Sequence, residues 1–446
     1  MKELSKISRI SLVLRIGFCL LSLAFVFSCK ARKSEVEIIE KPKVKPGVEV
    51  FLEKYLDLVR GKKVGLITNP TGVDSHLQSS VELFSKNAEI NLVSLYGPEH
   101  GLRGEAQAGQ YIPFYMDKKY NLPVFSLYGQ SLKPSPGMLK NIDEYMRSFD
   151  TEKTGKIPES LMVKDIDVLI FDIQDVGTRI YTYIATMAYA MQACAENSID
   201  FIVLDRPNPI NGIDLEGPIL EYPDYSSFVG LYPIPVRHGM TVGELANLFN
   251  DKFLERKSNL KVIPMEGWKR EMWYDETSLA WVIPSPNIPT LTTATVYPGQ
   301  VYLEGTNISE GRGTTKPFEL FGAPWIDGNE LTNKLNALDL RGIRFREAWF
   351  SPTFSKYEGE LCGGAQIHVL NRDEYRPLES ALSIIKTIRD MYPDKFEFHK
   401  EYFDKIMGTS NVREALEKGV SIKEILESFK EGLTKFSDLR KPYFLY

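Results

Sequence analysis

The sequence predicts an α/β protein built on a Rossmann-like, doubly wound, mostly parallel sheet, joined to a second, smaller α+β domain. Short apolar runs alternate with helical patterns through the first half of the chain, and each run empties into Gly, Pro, Asn or Asp. Past about residue 260 that alternation gives way to an irregular order. Strands that read as unbroken apolar runs are buried on both faces, which is the condition of a parallel sheet covered by helices.

The expected strands are 63–68 (KVGLIT), 90–95, 124–127, 168–172 (VLIFD) and 201–205 (FIVLD), each short and rich in β-branched or large apolar residues. Helical patterns at 77–85 and 181–197 lie between them. Thr241 followed by Glu244 reads as a capping box that opens a helix over 242–253. Farther on, strands are expected near 343–349 and 365–370, and helices near 378–391, 412–417 and 422–430. The stretch 282–327 shows little regular periodicity, and a segment of that length in a compact domain is expected to line a site. A body of about 400 residues exceeds what one core usually serves, so two domains, 48–260 and 261–446, are expected to share a cleft.

The beginning of the chain has the order of an export signal. Lys2, Lys6, Arg9 and Arg15 stand against a single Glu3, and an apolar run over 16–27 follows. That run ends in Ser28-Cys29, an arrangement that resembles the lipobox of bacterial lipoproteins. The expectation is a signal peptide over 1–28, lipidation at Cys29, and a solvated Lys/Glu/Pro-rich tether to residue 47. An unmodified thiol in an uncleaved anchor is the alternative. The expected place of the protein is the periplasm or cell surface.

Removing residues 1–28 moves the formal net charge from −5 to −8, and an acidic body without basic runs argues against nucleic acid as a partner. Beyond the signal and Cys29 only Cys194 and Cys362 remain, too few for a disulfide framework, and both are expected to be buried.

Polar clusters fall at the ends of the expected strands, where an open α/β sheet presents its chemistry. The most concentrated is Tyr96–Gly109 (YGPEHGLRGEAQAG), which sets Glu99, His100, Arg103 and Glu105 among glycines. Asn69 follows the first strand, in a segment that reads equally as a plain Asx/Pro turn. Asp172, Asp175, Arg179 and Tyr181 follow the fourth, where the carboxylates also read as a helix cap paired with Arg179. Arg206 and Asn208 follow the fifth, with Arg237 and His238 beyond. The stretch 282–327 adds Glu304, Asn307, Glu310, Arg312 and Lys316. There is no GxGxxG after the first strand, no Walker spacing, no GxSxG elbow and no HExxH. The five histidines, at 76, 100, 238, 368 and 399, form no ligand set by spacing, so neither a metal nor a cofactor is expected.

Seven motifs in one order, LITNPTG, LYGPEHGLRG, FDIQDVGTRIYTY, LDRPNPING, PIPVRHGMTVGE, PSPNIPT and EGTNISEGRGT, make the chain resemble the exo-β-N-acetylmuramidase family NamZ from about Val48 to the C-terminus. The resemblance implies a glycoside hydrolase that releases N-acetylmuramic acid from the non-reducing end of peptidoglycan fragments, acting in cell wall recycling without a dinucleotide cofactor. A non-catalytic lipoprotein that holds peptidoglycan or another glycan in the same cleft is one other reading, and a hydrolase or transferase of a different bond, such as an esterase or amidase, for which no nucleophile arrangement is recognisable, is the second.

Glycosidic cleavage needs a protonated acid at the leaving oxygen and a second carboxylate, or the substrate's own acetamido group, on the opposite face. Glu99 is the expected acid, in a rigid loop where partial burial would favour its protonated form. His100 is expected to bind hydroxyls or orient a carboxylate, and Asp172, Asp175, Glu304 and Glu310 compete for the second role. The lactyl carboxylate of muramic acid calls for a cation, with Arg179, Arg206, Arg237 and Arg312 as candidates, each also readable as the partner of a nearby acid. Asn69, Arg103, Asn208, His238 and Asn307 are further candidates for substrate contacts. Tyr181, Tyr183, Tyr297 and Tyr302 are candidates for stacking on sugar faces.

Overall fold

The computed structural model describes residues 44–129, 132–140, 142–147 and 165–446. The expected signal peptide, Cys29 and most of the expected tether lie outside the described residues.

Seven strands form the main sheet: β1 Lys63–Thr68, β2 Asn91–Gly97, β3 Tyr115–Asp117, β4 Leu122–Ser126, β5 Val168–Asp172, β6 Asp200–Leu204 and β7 Leu260–Ile263. Their order is β3-β4-β2-β1-β5-β6-β7, and every neighbouring pair is parallel except β3 with β4. Leaving the short β3 aside, the strands run three-two-one-four-five-six, the doubly wound order whose winding reverses between β1 and β5. Ligands in such sheets bind outside the carboxyl ends near that reversal.

Alternation along the central strands explains why both faces are covered. Val64, Leu66, Val168, Ile170, Ile202 and Leu204 pack with Val48, Phe51, Val81 and Phe84 beneath helices Gly47–Lys54 and Ser80–Lys86. Ile67, Leu169, Phe171, Phe201 and Val203 face the other way, onto Met187, Met191, Leu245 and Phe249 of helices Tyr183–Asn197 and Val242–Lys252. Each such side chain contributes about 2 kcal/mol by leaving water. The strands therefore carry polar groups chiefly at their ends.

A second sheet holds β8 Leu320–Ala323, β9 Ile343–Phe350 and β10 Cys362–Val369 in the antiparallel order β8-β10-β9. Helices Gly328–Ala337 and Pro377–Met391 supply Leu331, Leu335, Ile384 and Ile388 to the core that also holds Phe321, Phe345 and Ile367. That core is continuous with the one beneath the main sheet.

Three segments differ from expectation. β7 extends the main sheet past residue 260, pairing Leu204 with Ile263. Val44 is already buried and Lys45 bridges Glu266, so ordered packing begins before residue 48. The stretch 282–327 is not irregular throughout, because it holds helix Leu291–Gln300, the turn Val301–Gly305 and β8. That helix contains Thr292, Thr293, Thr295, Val296 and Pro298, poor formers locally, and residues 293–300 are all buried. A helix buried all round has no amphipathic period to read, and tertiary packing overrides its propensity.

Arg179 ties the loop after β5 to distant segments. It is fully buried, and instead of a carboxylate it meets four backbone carbonyls: Pro218 and Ile234 through Nη1, both at 2.9 Å, and Ile406 and Met407 through Nη2 at 3.1 and 2.7 Å. The last two are carbonyls at the C-terminal end of helix Lys400–Met407, where a cation satisfies orphan acceptors and the helix dipole together. Gly408 closes that helix at φ +82°, and a Cβ there would meet Arg179 Nη2 at 2.9 Å, so the cap and the clamp both require glycine. Arg179 is thus a structural clamp and does not hold a ligand carboxylate. Arg179→Met should cost about 3–5 kcal/mol in urea denaturation, because four buried acceptors lose their donors. A loss below about 1 kcal/mol would show that these carbonyls find other partners.

Candidate active site

The loop after β2 turns back on itself through left-handed backbone at His100 (φ 72°), Gly101, Gly104 and Gly109. A non-glycine residue in this region is a local strain that the surrounding contacts must hold. The His100 ring does part of that, since its Nδ1 lies 2.8 Å from the carbonyl of Ala106. A carbonyl only accepts, so Nδ1 carries the hydrogen and a neutral ring leaves Nε2 as an acceptor. Burial, helped by Arg312, lowers the proton affinity of His100 against the opposing pull of Glu99 and the Ala106 carbonyl.

The same reversal brings the Gly109 amide to Glu99 Oε1, to which it donates at 3.2 Å. The Thr182 hydroxyl donates to Glu99 Oε2 at 2.8 Å. Thr182 occupies the N-cap position of helix Tyr183–Asn197 yet makes no side-chain cap. Its hydroxyl is committed to Glu99 instead, which ties the loop after β2 to the loop after β5. Tyr128, just beyond β4, lies near Glu99; burial first and the Glu99 charge second push its hydroxyl up to about 12.

The facing wall comes from residues beyond 280. Glu304 Oε1 accepts from Arg312 Nε and Nη2 at 3.0 and 2.6 Å, and its Oε2 accepts from the Tyr402 hydroxyl at 3.0 Å. Arg312 also lies 3.4 Å from Glu310, which in turn pairs with Lys356 at 3.0 Å. Burial disfavours the Arg312 cation, but the charges of Glu304 and Glu310 outweigh it and raise its proton affinity. An aromatic run joins the walls: Tyr181 meets Tyr297 edge-on at 5.7 Å, Tyr297 meets Phe318 at 4.8 Å, and the Arg312 guanidinium lies 5.0 Å from the Phe318 ring.

Glu99, His100, Tyr181, Tyr297, Glu304, Arg312 and Phe318 line one recess, whose empty space of about 540 Å³ includes open solvent. Ala108, Ile180, Thr182, Val229, Ser285, Asn287, Ile288 and Tyr402 complete it. Asn287 donates to the Gln107 side chain at 3.2 Å, linking the far wall to the Glu99 loop. Its two carboxylates differ in surroundings: the partners described for Glu99 are neutral donors, and Glu304 is held by a guanidinium.

Of the residues singled out from the sequence, Glu99, His100, Tyr181, Tyr297, Glu304 and Arg312 meet in this recess. The others do not line it. Asp172 and Arg206 are buried and bind each other through two bonds of 2.7 and 2.9 Å. Asp175 is buried, accepts from Gly177 N at 2.8 Å, and is pushed up to about 7 by desolvation. Glu310 is turned to Arg312 and Lys356 behind the recess. Asn69 accepts from the Thr71 amide and hydroxyl, the plain Asx turn. Asn208 caps Ile210 N and donates to Met240 O. Arg103 sits on the outside of its loop, paired with Asp117 at 2.6 Å. Arg237 is buried among Asp214, Glu216 and the Ile210 carbonyl. His238 is buried near Arg440, Arg179 and Arg237; burial first and those cations second lower it to about 3. Asn307 joins Lys395 O to Glu397 N. Tyr183 donates to Pro284 O, and Tyr302 is wholly buried.

Sequence reasoning missed Thr182, Ser285, Asn287 and Tyr402. Thr182, Ser285 and Asn287 lie inside motifs already singled out, whereas Tyr402 reaches Glu304 from 98 positions away with no local signal.

Comparison with known proteins agrees with these motifs. The family model described as exo-β-N-acetylmuramidase NamZ, N-terminal, matches residues 64–150 and 145–292, and its C-terminal counterpart matches 295–446. The peptidoglycan β-N-acetylmuramidase NamZ of Bacillus subtilis (strain 168) is 51% identical over 414 residues, 93% of this chain and 94% of that protein. Two crystal structures of DUF1343 family proteins from Bacteroides fragilis NCTC 9343 share the fold. One has TM-score 0.80 and 37% identity, covering 91% of this chain and 100% of that one. The other has TM-score 0.68 and 30% identity, covering 90% and 99%. With both halves matched and half of its residues shared with a relative of nearly equal length, the chain belongs to the exo-β-N-acetylmuramidase NamZ family.

Proposed function

We propose that the chain is an exo-acting glycoside hydrolase that releases N-acetylmuramic acid from the non-reducing end of peptidoglycan fragments, with Glu99 protonating the departing glycosidic oxygen. The observation that supports this role is the contrast between the two carboxylates of the recess. A general acid must hold a proton and give it up, and the Thr182 hydroxyl at Glu99 Oε2 suits both states, since it donates to a carboxylate and accepts from a carboxylic acid. Glu304, which takes two bonds from the Arg312 guanidinium on Oε1, is the carboxylate available to stabilise the positive charge that develops at the anomeric carbon. Residues 48–260 then carry the acid, and residues 261–446 close the recess.

Arg312 is the one cation lining the recess among the described residues, which makes it the group to meet the lactyl carboxylate. It spends Nε and Nη2 on Glu304 and leaves Nη1 for a ligand. Tyr181 and Tyr297 offer ring surface to the sugar. The proposal also places the protein outside the cytoplasm, anchored through lipid on Cys29, a reading supported by the basic and apolar order of residues 1–28.

Glu99→Gln should lower kcat on a muramic acid glycoside with a poor leaving group by about 100- to 10,000-fold with KM little changed; unchanged turnover removes Glu99 from the chemistry. Arg312→Ala should reduce kcat/KM for muramic acid glycosides at least about tenfold more than for the matching glucosamine glycosides, and equal losses on both would exclude a lactyl contact. Cys29→Ser should move the protein from the detergent-extracted membrane fraction to the soluble one, whereas continued membrane retention would argue for an uncleaved anchor.

A further inference from the structure

The recess is short of positive charge for the ligand it is read to take. Arg312 is neutralised by Glu304, and Lys356 behind it by Glu310. Among the described residues Glu99 has no cation in contact: its loop supplies the Gly109 amide and the neutral His100, the strand-end at β4 supplies Tyr128, and the start of helix Tyr183–Asn197 supplies Thr182, with Tyr181 and Tyr183 nearby. With Glu99, Glu304 and Arg312 all ionised the lining carries one uncompensated negative charge. A bound muramic acid would add a second in a space from which it expels water, where like charges repel strongly.

We propose that the carboxylate of muramic acid is accepted here together with one proton, which is taken up from solvent by Glu99 Oε2, so that the arriving substrate sets its own general acid. This rests on reading the recess as the muramic acid site. The neighbouring groups single out Glu99 as the receiver. Glu304 and Glu310 are held by cations, and the tyrosines already carry their protons. His100 already gives its Nδ1 hydrogen to Ala106, and a second proton on its ring is opposed by burial first and by Arg312 second, against the pull of Glu99 and the Ala106 carbonyl.

Within Glu99, Oε1 faces an amide that can only donate, while Oε2 faces a hydroxyl that can reverse. Thr182 turns from donor to acceptor as the proton arrives, and the proton returns to bulk solvent when the sugar leaves. A glucosamine unit lacks the carboxylate and recruits no proton, so the discrimination falls on the chemical step as well as on binding.

The test is isothermal titration calorimetry of the full chain at pH 7 with N-acetylmuramic acid, in phosphate and in Tris, whose ionisation enthalpies differ widely. The expected result is uptake of about one proton per site by the wild type, and close to none with the lactyl carboxamide or with the Glu99→Gln variant. The wild-type Kd for the acid should also rise about tenfold per pH unit above neutrality while that for the amide stays flat, a readout that needs no variant. Wild-type heats independent of buffer, or uptake that persists in Glu99→Gln, would overturn the proposal. Failure of N-acetylmuramic acid to bind the wild type would instead remove the reading of the recess, and this inference with it.

Discussion

A buried guanidinium without a carboxylate organises this molecule. Arg179 places both terminal nitrogens on four carbonyls from the segments around Pro218, Ile234 and Met407, so three stretches remote in sequence converge on the loop after β5. Taking a cation out of water is costly unless its donors are met, which makes the convergence close to obligatory. Three residues further on stands Thr182, and its bond to Glu99 carries the constraint across to the loop after β2. Helix Lys400–Met407, whose C-terminal end the clamp holds, contributes Tyr402 to the opposite wall. One packing demand therefore orients both sides of the recess.

The two walls treat their carboxylates differently. On the main-sheet side the partners are an amide and a hydroxyl, and on the other side a guanidinium set between two acids. Placing two titratable groups in environments of opposite character is how a protein assigns acid and base roles to identical side chains. Lys356 completes the arrangement by neutralising Glu310, which leaves Arg312 chiefly to Glu304. The recess is thereby electrically asymmetric from one wall to the other.

The doubly wound order is shared with many dinucleotide-binding proteins, yet here the loop after β1 holds Asn69 in a closed Asx turn rather than a glycine-rich phosphate cradle. At the reversal between β1 and β5, Asp172 is instead paired with Arg206. The residues that line the recess lie to one side, chiefly on the loops after β2 and β5 and on the segment that precedes β8. What the sheet supplies is a rigid set of strand ends from which such loops can be hung.

Much of the fold was legible in the sequence because central strands buried on both faces must be apolar throughout. β1 and β5 match their expected bounds residue for residue, and the capping box at Thr241 and Glu244 marks its helix. The family and the outstanding loop around Glu99 were legible too, since a dense run of ionisable groups among glycines has few structural uses. Partnership was not. Arg179, Arg206 and Arg237 have the same side chain as Arg312 and sit in equally polar motifs, but each is consumed internally, Arg179 by carbonyls as far as 228 positions away. Local periodicity and residue type, which depend on near neighbours, are determined by the sequence itself. Whether a charge is spent inside the protein or left for a ligand depends on groups that only folding brings within 3 Å, and that the tertiary structure alone decided.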